Sequence, residues 1–118
     1  MPTVDVLFAG VPVREFAPAR AWYTTFFGRE PDVVPHEHEV MWQCAESAWL
    51  YVVQDVARAG HAVVALMVAD LDAAVADLAR RGIEGGPAHP EGDGARKASF
   101  TDPEGNEVSL IAVTAAST

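Results

Sequence analysis

The hydropathy pattern of this 118-residue chain runs through the same order of elements twice. In each half, an apolar stretch rich in β-branched residues precedes a segment with helical spacing, and three shorter strand-like stretches follow. The two copies cover residues 4–55 and 62–113, with a period of roughly 55 to 60 residues. The pattern predicts one domain over residues 1–118, built from two βαβββ modules.

The first module begins with an apolar strand over residues 4–13. A helix follows, with Pro18 in its first turn and Gly28 as its stop, because proline suits the start of a helix and glycine its end. Strand-like stretches come next, around residues 32–35, 40–45 and 49–53.

The second module repeats this order, beginning with a strand over residues 62–68. Asp70 suits the N-cap of the next helix, and Gly82 ends that helix. Three short strands are then predicted over residues 83–89, 95–101 and 107–113. Neither module can close a core alone, so we predict an α+β fold in which the modules form paired half-sheets around a cleft.

The charge balance excludes some classes of partner. The chain has 17 acidic and 8 basic residues, for a formal net charge of −9. Nucleic-acid binding and attraction to anionic membranes both need a surplus of Lys and Arg, so we expect neither. An acidic surface does admit a cationic small ligand, although it also serves solubility.

Neither a membrane span nor a signal peptide is evident in the sequence. No apolar run approaches the roughly 20 residues of a transmembrane helix, and the first residues lack a basic and apolar leader pattern. We therefore expect a cytoplasmic protein. Cys44 is the single cysteine, which excludes a disulfide framework, and its apolar surroundings favour a packing role over a nucleophilic one.

Three segments together resemble the vicinal oxygen chelate superfamily, which includes glyoxalase, bleomycin-resistance and extradiol dioxygenase domains. Residues 21–28 end a helix with an aromatic pair and a glycine, and residues 68–75 lead from a strand into a helix. Residues 100–106 carry an aromatic residue, an Asp-Pro pair and a Gly-Asn pair before the last strand. The resemblance covers nearly the whole chain and implies the paired-module fold and a homodimer.

The resemblance also implies where relatives hold a divalent metal with His and Glu side chains. Those positions are occupied here by Phe8, by Val63 and by Ser109, with Trp49 or Tyr51 at the remaining place. Divalent cations need several converging imidazoles or carboxylates, which these residues do not supply. We therefore expect no metal and no cofactor at that site.

Strand alternation predicts which side chains line the cleft. Most of them are apolar or aromatic, which suits a planar or partly apolar ligand, cationic or neutral. The alternative is that these aromatic residues fill the core. The predicted ligand-binding residues are Phe8, Trp42, Trp49, Tyr51, Val63, Met67, Phe100, Glu107 and Ser109.

Three functions remain open from the sequence. The first is a metal-free small-molecule-binding protein of the bleomycin-resistance type. The second is an enzyme, a lyase or an oxidoreductase, with an atypical metal site or with Glu107, Tyr51 or a histidine as its catalyst. The third is an interaction module with a closed cleft. His36 and His38 offer half a metal site if extended, but an exposed loop explains them more simply.

Overall fold

The computed structural model describes residues 1–113. The described residues form two compact units. One is made of Met1–Ala62 with Pro103–Asn106, and the other of Val63–Asp102 with Glu107–Val113. No helix in the described part of the chain is long and apolar enough to cross a membrane. The elements in chain order are β1 (Leu7–Val13), α1 (Phe16–Phe27), β2 (Val33–His36), β3 (Glu39–Ala45), β4 (Ala48–Gln54), a 3-10 turn (Val56–Arg58), β5 (Val63–Met67), α2 (Leu71–Arg80), β6 (His89–Pro90), β7 (Ala95–Thr101) and β8 (Glu107–Val113).

The first unit contains a four-stranded mixed sheet in the order β1-β4-β3-β2. Strand β1 runs parallel to β4, and the other pairs are antiparallel. Val11 lies beside Val52, and Val40 pairs with Val52 from the other side, so these three buried side chains share one face. Helix α1 packs against the sheet and covers this face.

Aromatic packing joins α1 to the sheet. The ring of Trp42 lies 6.3 Å from that of Tyr23 and 5.3 Å from that of Phe27. The indole Nε1 of Trp42 also donates a hydrogen bond of 3.0 Å to the carbonyl of Arg29, so the one polar atom of this buried side chain is satisfied.

Both helices begin or end where their sequence signals predict. Gly28 adopts the left-handed conformation with φ 72°, and its N–H donates to the carbonyl of Thr24, which closes α1. Asp70 is the N-cap of α2, and its carboxylate accepts a 3.0 Å hydrogen bond from the N–H of Ala73.

The second unit repeats the arrangement with a sheet in the order β5-β8-β7-β6. Strand β5 is parallel to β8, and the remaining pairs are antiparallel. Helix α2 packs on β7 and β8, against the face that carries the buried Ala98, Phe100, Val108 and Leu110.

The predicted α+β fold of two βαβββ modules is thereby confirmed. The strand predicted over residues 83–89 is wrong, because only His89–Pro90 pair with β7.

The turn between β7 and β8 packs in the first unit. The side chain of Asn106 is fully buried there. Its amide oxygen accepts a 2.8 Å hydrogen bond from the N–H of Ala62, and its amide nitrogen donates at 3.1 Å to the carbonyl of Pro12. This residue therefore joins the end of β1 to the segment that leads into β5.

Glu104 in the same turn holds the start of α1. Its carboxylate accepts hydrogen bonds from the backbone N–H groups of Arg14 at 2.7 Å and Glu15 at 2.6 Å. Gly60 packs against the backbone of this turn with φ 86°, and a Cβ there would lie 2.8 Å from the carbonyl oxygen of Glu104. Only glycine suits both this conformation and this close approach.

We expect Asn106→Ala to lower the free energy of unfolding by about 1–3 kcal/mol, because it leaves the N–H of Ala62 without its acceptor and removes one of the two donors to the carbonyl of Pro12, the other being the N–H of Gly60. Urea denaturation monitored by circular dichroism measures the change. Asp93→Ala, in an exposed turn of the chain, is the control and should cost about 0.5 kcal/mol or less. Equal effects of the two substitutions would contradict the role assigned to Asn106.

Candidate functional site

Each sheet has one face that its own helix does not cover, which we call its helix-free face. The predicted site residues divide between the two faces of the sheets. Trp42 lies opposite Leu50 on the helix-covered face and is 0% exposed, and Phe100 lies opposite Val108 and is 1% exposed. The expectation that Trp42 and Phe100 line a ligand site is therefore corrected, because a shift of one residue along a strand reverses the face.

The helix-free face of the first sheet carries three aromatic side chains. Phe8 is the register partner of Trp49, and their rings are 6.4 Å apart with an interplanar angle of 27°. Phe8 is 52% exposed, so this stacked pair is reachable from outside. Tyr51 lies two residues along β4 from Trp49, and Met41 is its partner across β3. These residues form a continuous apolar surface, which we call the aromatic face.

The ring of Tyr51 packs directly against Gly10 of β1. A Cβ at residue 10 would stand 2.6 Å from both Cζ and Oη of the Tyr51 ring. The ring therefore rests directly on the β1 backbone, which a larger residue would prevent. Among the described residues, the Tyr51 hydroxyl has no hydrogen-bond partner, so it is available to a ligand. Strand alternation alone puts Gly10 on the same face as Phe8, whereas its contact with Tyr51 depends on the pairing of β1 with β4.

The helix-free face of the second sheet is apolar along its edge strand. Val63 is 76% exposed and Met67 is 72% exposed, with Ala65 between them. Register places these residues beside Glu107, Ser109 and Ile111 of β8.

Four polar side chains lie inward of this apolar edge, which we call the polar cluster. The Ser109 hydroxyl donates a 3.0 Å hydrogen bond to Oε2 of Glu107, and the hydroxyls of Ser99 and Ser109 are 3.0 Å apart. The ammonium of Lys97 lies 4.0 Å from the same Oε2 atom. Glu107 and Ser109 were among the predicted site residues, whereas Lys97 and Ser99 were not. Strand pairing between β7 and β8 brings all four to the same face.

The residues at the metal positions implied by the resemblance do not fit a divalent cation. Phe8 and Val63 have no donor atoms, and the Ser109 hydroxyl is engaged with Glu107. Within residues 1–113, no group of three or more His, Cys, Asp or Glu side chains converges. We therefore derive no chemistry through a metal.

The surroundings of His36, considered above as a metal ligand, and of Cys44, considered as a nucleophile, give each a structural explanation. The ring of His36 lies 3.3 Å from Oε1 of Glu39 and accepts from the N–H of His38 at 3.2 Å, so it is held within its own hairpin. Cys44 is half-buried, and desolvation raises the pKa of its thiol. A raised pKa lowers the thiolate fraction and therefore its reactivity as a nucleophile.

An open groove of about 550 Å³ runs along α1. Its polar groups include Arg20 and Glu30, whose charged atoms are 3.7 Å apart. None of the predicted site residues lines this groove.

The sequence matches the Glyoxalase/Bleomycin resistance protein/Dioxygenase superfamily over residues 5–110, and the chain belongs to this family. Among solved structures, it is similar to a glyoxalase/bleomycin resistance protein from Catenulispora acidiphila DSM 44928. The two are 40% identical with a TM-score of 0.86, and the match covers 94% of this chain and 99% of that one.

More distant structures share the fold. An antibiotic-binding protein, TnmS3 from Streptomyces sp. CB03234, is 23% identical with a TM-score of 0.71, over 97% of this chain and 98% of that one. The fosfomycin resistance protein FosX from Listeria monocytogenes is 15% identical with a TM-score of 0.68, over 98% and 97%. A search of curated proteins found no match.

A double-mutant cycle tests whether Gly10 and Tyr51 contact each other. We expect Gly10→Ala to cost about 1–2 kcal/mol of unfolding free energy, because the new methyl group displaces the Tyr51 ring. In a Tyr51→Ala background the same change should cost about 0.5 kcal/mol or less, because the obstacle is gone. Urea denaturation of the four proteins measures both values. An equal cost in the two backgrounds would show that Gly10 and Tyr51 do not contact each other.

Proposed function

We propose that this protein binds a planar, partly apolar small molecule and that the aromatic face of the first sheet is the binding site. The observation that supports the proposal is the stacked pair of Phe8 and Trp49, in which Phe8 is 52% exposed and Trp49 is partly exposed. Exposed aromatic side chains that cluster on one surface are typical of ligand sites, because stacking rewards a planar partner and releases water.

The Tyr51 hydroxyl adds a polar contact to this surface. It has no partner among the described residues and lies beside the stacked pair. A ligand ring that stacks on Trp49 and carries a polar substituent would use both groups, since small-molecule sites combine an apolar surface with a few placed polar atoms. TnmS3 is described as an antibiotic-binding protein, and we propose an antibiotic-like aromatic compound as the ligand class here as well.

The proposed activity is binding without a metal. The donor set at the positions implied by the family supports this, because it offers hydrocarbon side chains and a single engaged hydroxyl. We further propose a homodimer in the cytoplasm. Strands β1 and β5 are sheet edges, and the exposed Leu7 of β1 gives a second copy an apolar side chain to cover.

The second candidate is a metal-free enzyme of the lyase or oxidoreductase type. Glu107 favours it, because its carboxylate is held by Ser109 and is 40% exposed in its side chain, so it could accept a proton from a bound substrate. Conversion of a bound compound, followed by chromatography of the mixture, separates this candidate from a binding protein.

We expect Trp49→Ala to weaken the binding of 9-aminoacridine, a planar fluorescent probe, by about tenfold, because one stacking surface is lost. Fluorescence anisotropy of the probe measures the affinity. The matched control is Trp22→Ala, which removes the same side chain from α1, where it stacks on Phe26. Unchanged affinity in Trp49→Ala, or an equal loss of affinity in both variants, would show that the aromatic face is not the binding site of the probe.

Metal removal provides an independent test. We expect dialysis against EDTA to change the affinity for 9-aminoacridine by less than about twofold, because the proposed contacts are stacking and hydrogen bonds. Elemental analysis of the same sample should find less than about one-tenth of a divalent ion per chain. A stoichiometric metal whose removal abolishes binding would contradict the metal-free proposal.

A further inference from the structure

The polar cluster of the second sheet has a hydrogen-bond direction that follows from counting protons. An ionised carboxylate only accepts, so the single hydroxyl proton of Ser109 is the one donated to Oε2 of Glu107. The 3.0 Å contact between the two serines then requires Ser99 to donate to Ser109. The protons therefore run in one direction, from Ser99 through Ser109 to Glu107.

This direction decides what the cluster offers to a ligand. Because Ser99 donates its only hydroxyl proton to Ser109, its oxygen can act only as a hydrogen-bond acceptor for a ligand. Oε1 of Glu107 has no hydrogen-bond partner among residues 1–113, whereas Oε2 is shared by Ser109 and Lys97. Two acceptors, one of them charged, are thus left for a ligand that carries donors.

The carboxylate is the more accessible of the two charges in the cluster. Lys97 pairs with Oε2 of Glu107 at 4.0 Å, but its side chain is 24% exposed, whereas that of Glu107 is 40% exposed. The whole chain carries a net charge of −9, which attracts cations and repels carboxylates over a longer range. Val63 and Met67, both largely exposed, lie on the same face and offer apolar contact to the rest of the ligand.

We propose that the polar cluster binds the primary ammonium group of an amine, with Oε1 of Glu107 as the principal acceptor and Ser99 as the second. An ammonium group fits because it has three donors and a positive charge, whereas a hydroxyl offers one donor and no charge. Ser109 acts as a positioning residue. Its hydroxyl donates a hydrogen bond to Glu107 and accepts the proton of Ser99, which leaves only the lone pairs of Ser99 for the ligand. This inference uses the second sheet alone and does not depend on the aromatic face.

Three small probes that share a phenyl ring and an ethyl chain test the ligand class. We expect 2-phenylethylamine to shift the backbone amide signals of Ser99, Glu107 and Ser109 in a titration followed by ¹H–¹⁵N NMR. 2-Phenylethanol should bind about tenfold or more weakly, and 3-phenylpropionate should leave these signals in place. Binding of the propionate as tight as that of the amine would overturn the proposal.

Two substitutions should change the affinity for the amine in opposite directions. Glu107→Gln removes the charge at nearly constant shape and should weaken the affinity for 2-phenylethylamine about tenfold or more. Lys97→Met removes the competing ammonium and should strengthen it about threefold. If the cluster instead bound anions, Lys97→Met would abolish binding of 3-phenylpropionate and leave the amine unaffected.

Glu84→Gln is the matched control, since it removes one exposed carboxylate from the same unit and should leave the affinity for the amine unchanged. Thermal unfolding of each variant checks that the fold is intact. Unchanged affinity in a folded Glu107→Gln variant would refute the proposal, as would signal shifts confined to Phe8, Trp49 and Tyr51. Because Trp49→Ala tests the first sheet and Glu107→Gln the second, failure of one proposal is distinguishable from failure of the other.

Discussion

A single helix covers only one face of each four-stranded sheet, and the role of every strand residue follows from the face on which it lies. Neighbouring residues in a strand point to opposite faces, so each strand contributes to both the core and the surface. In β4, Leu50 and Val52 pack in the core, whereas Trp49 and Tyr51 lie on the other face. The register between strands therefore separates structural side chains from those available to a ligand.

The two helix-free faces have different chemistry although their sheets share one topology. The first combines Phe8, Trp49 and Tyr51 into a surface for flat molecules. The second combines an apolar edge strand with a directed chain of hydroxyls that ends on Glu107. The difference arises at equivalent strand positions, where one module has aromatic residues and the other has small or charged ones. A duplicated architecture thus supports two kinds of recognition, because the backbone positions the side chains and leaves their chemistry to the individual residue.

Local signals predicted most of the fold. Gly28 and Asp70 act at the helix ends in the way their conformational preferences dictate, and the β-branched runs form strands. Site residues were predicted less well, because β3 and β7 lack a clean alternation of polar and apolar residues. Strand alternation assigned Trp42 and Phe100 to the site, but the register of β3 and β7 places both side chains in the core. Lys97 and Ser99 were missed because their relation to Glu107 and Ser109 depends on pairing between strands.

The amino-acid sequence by itself determined the order of the elements, the helix boundaries, the family and the lack of suitable metal ligands at the expected positions. These properties depend on periodicity, capping and residue type, which act over short distances along the chain. Only the tertiary structure decided that Gly10 supports the Tyr51 ring, that Asn106 joins residues 12 and 62, and that the protons of the polar cluster run towards Glu107. Each of these depends on contacts between residues far apart in the chain, and such contacts exist only once strand register and packing have brought the atoms within a few ångströms of one another.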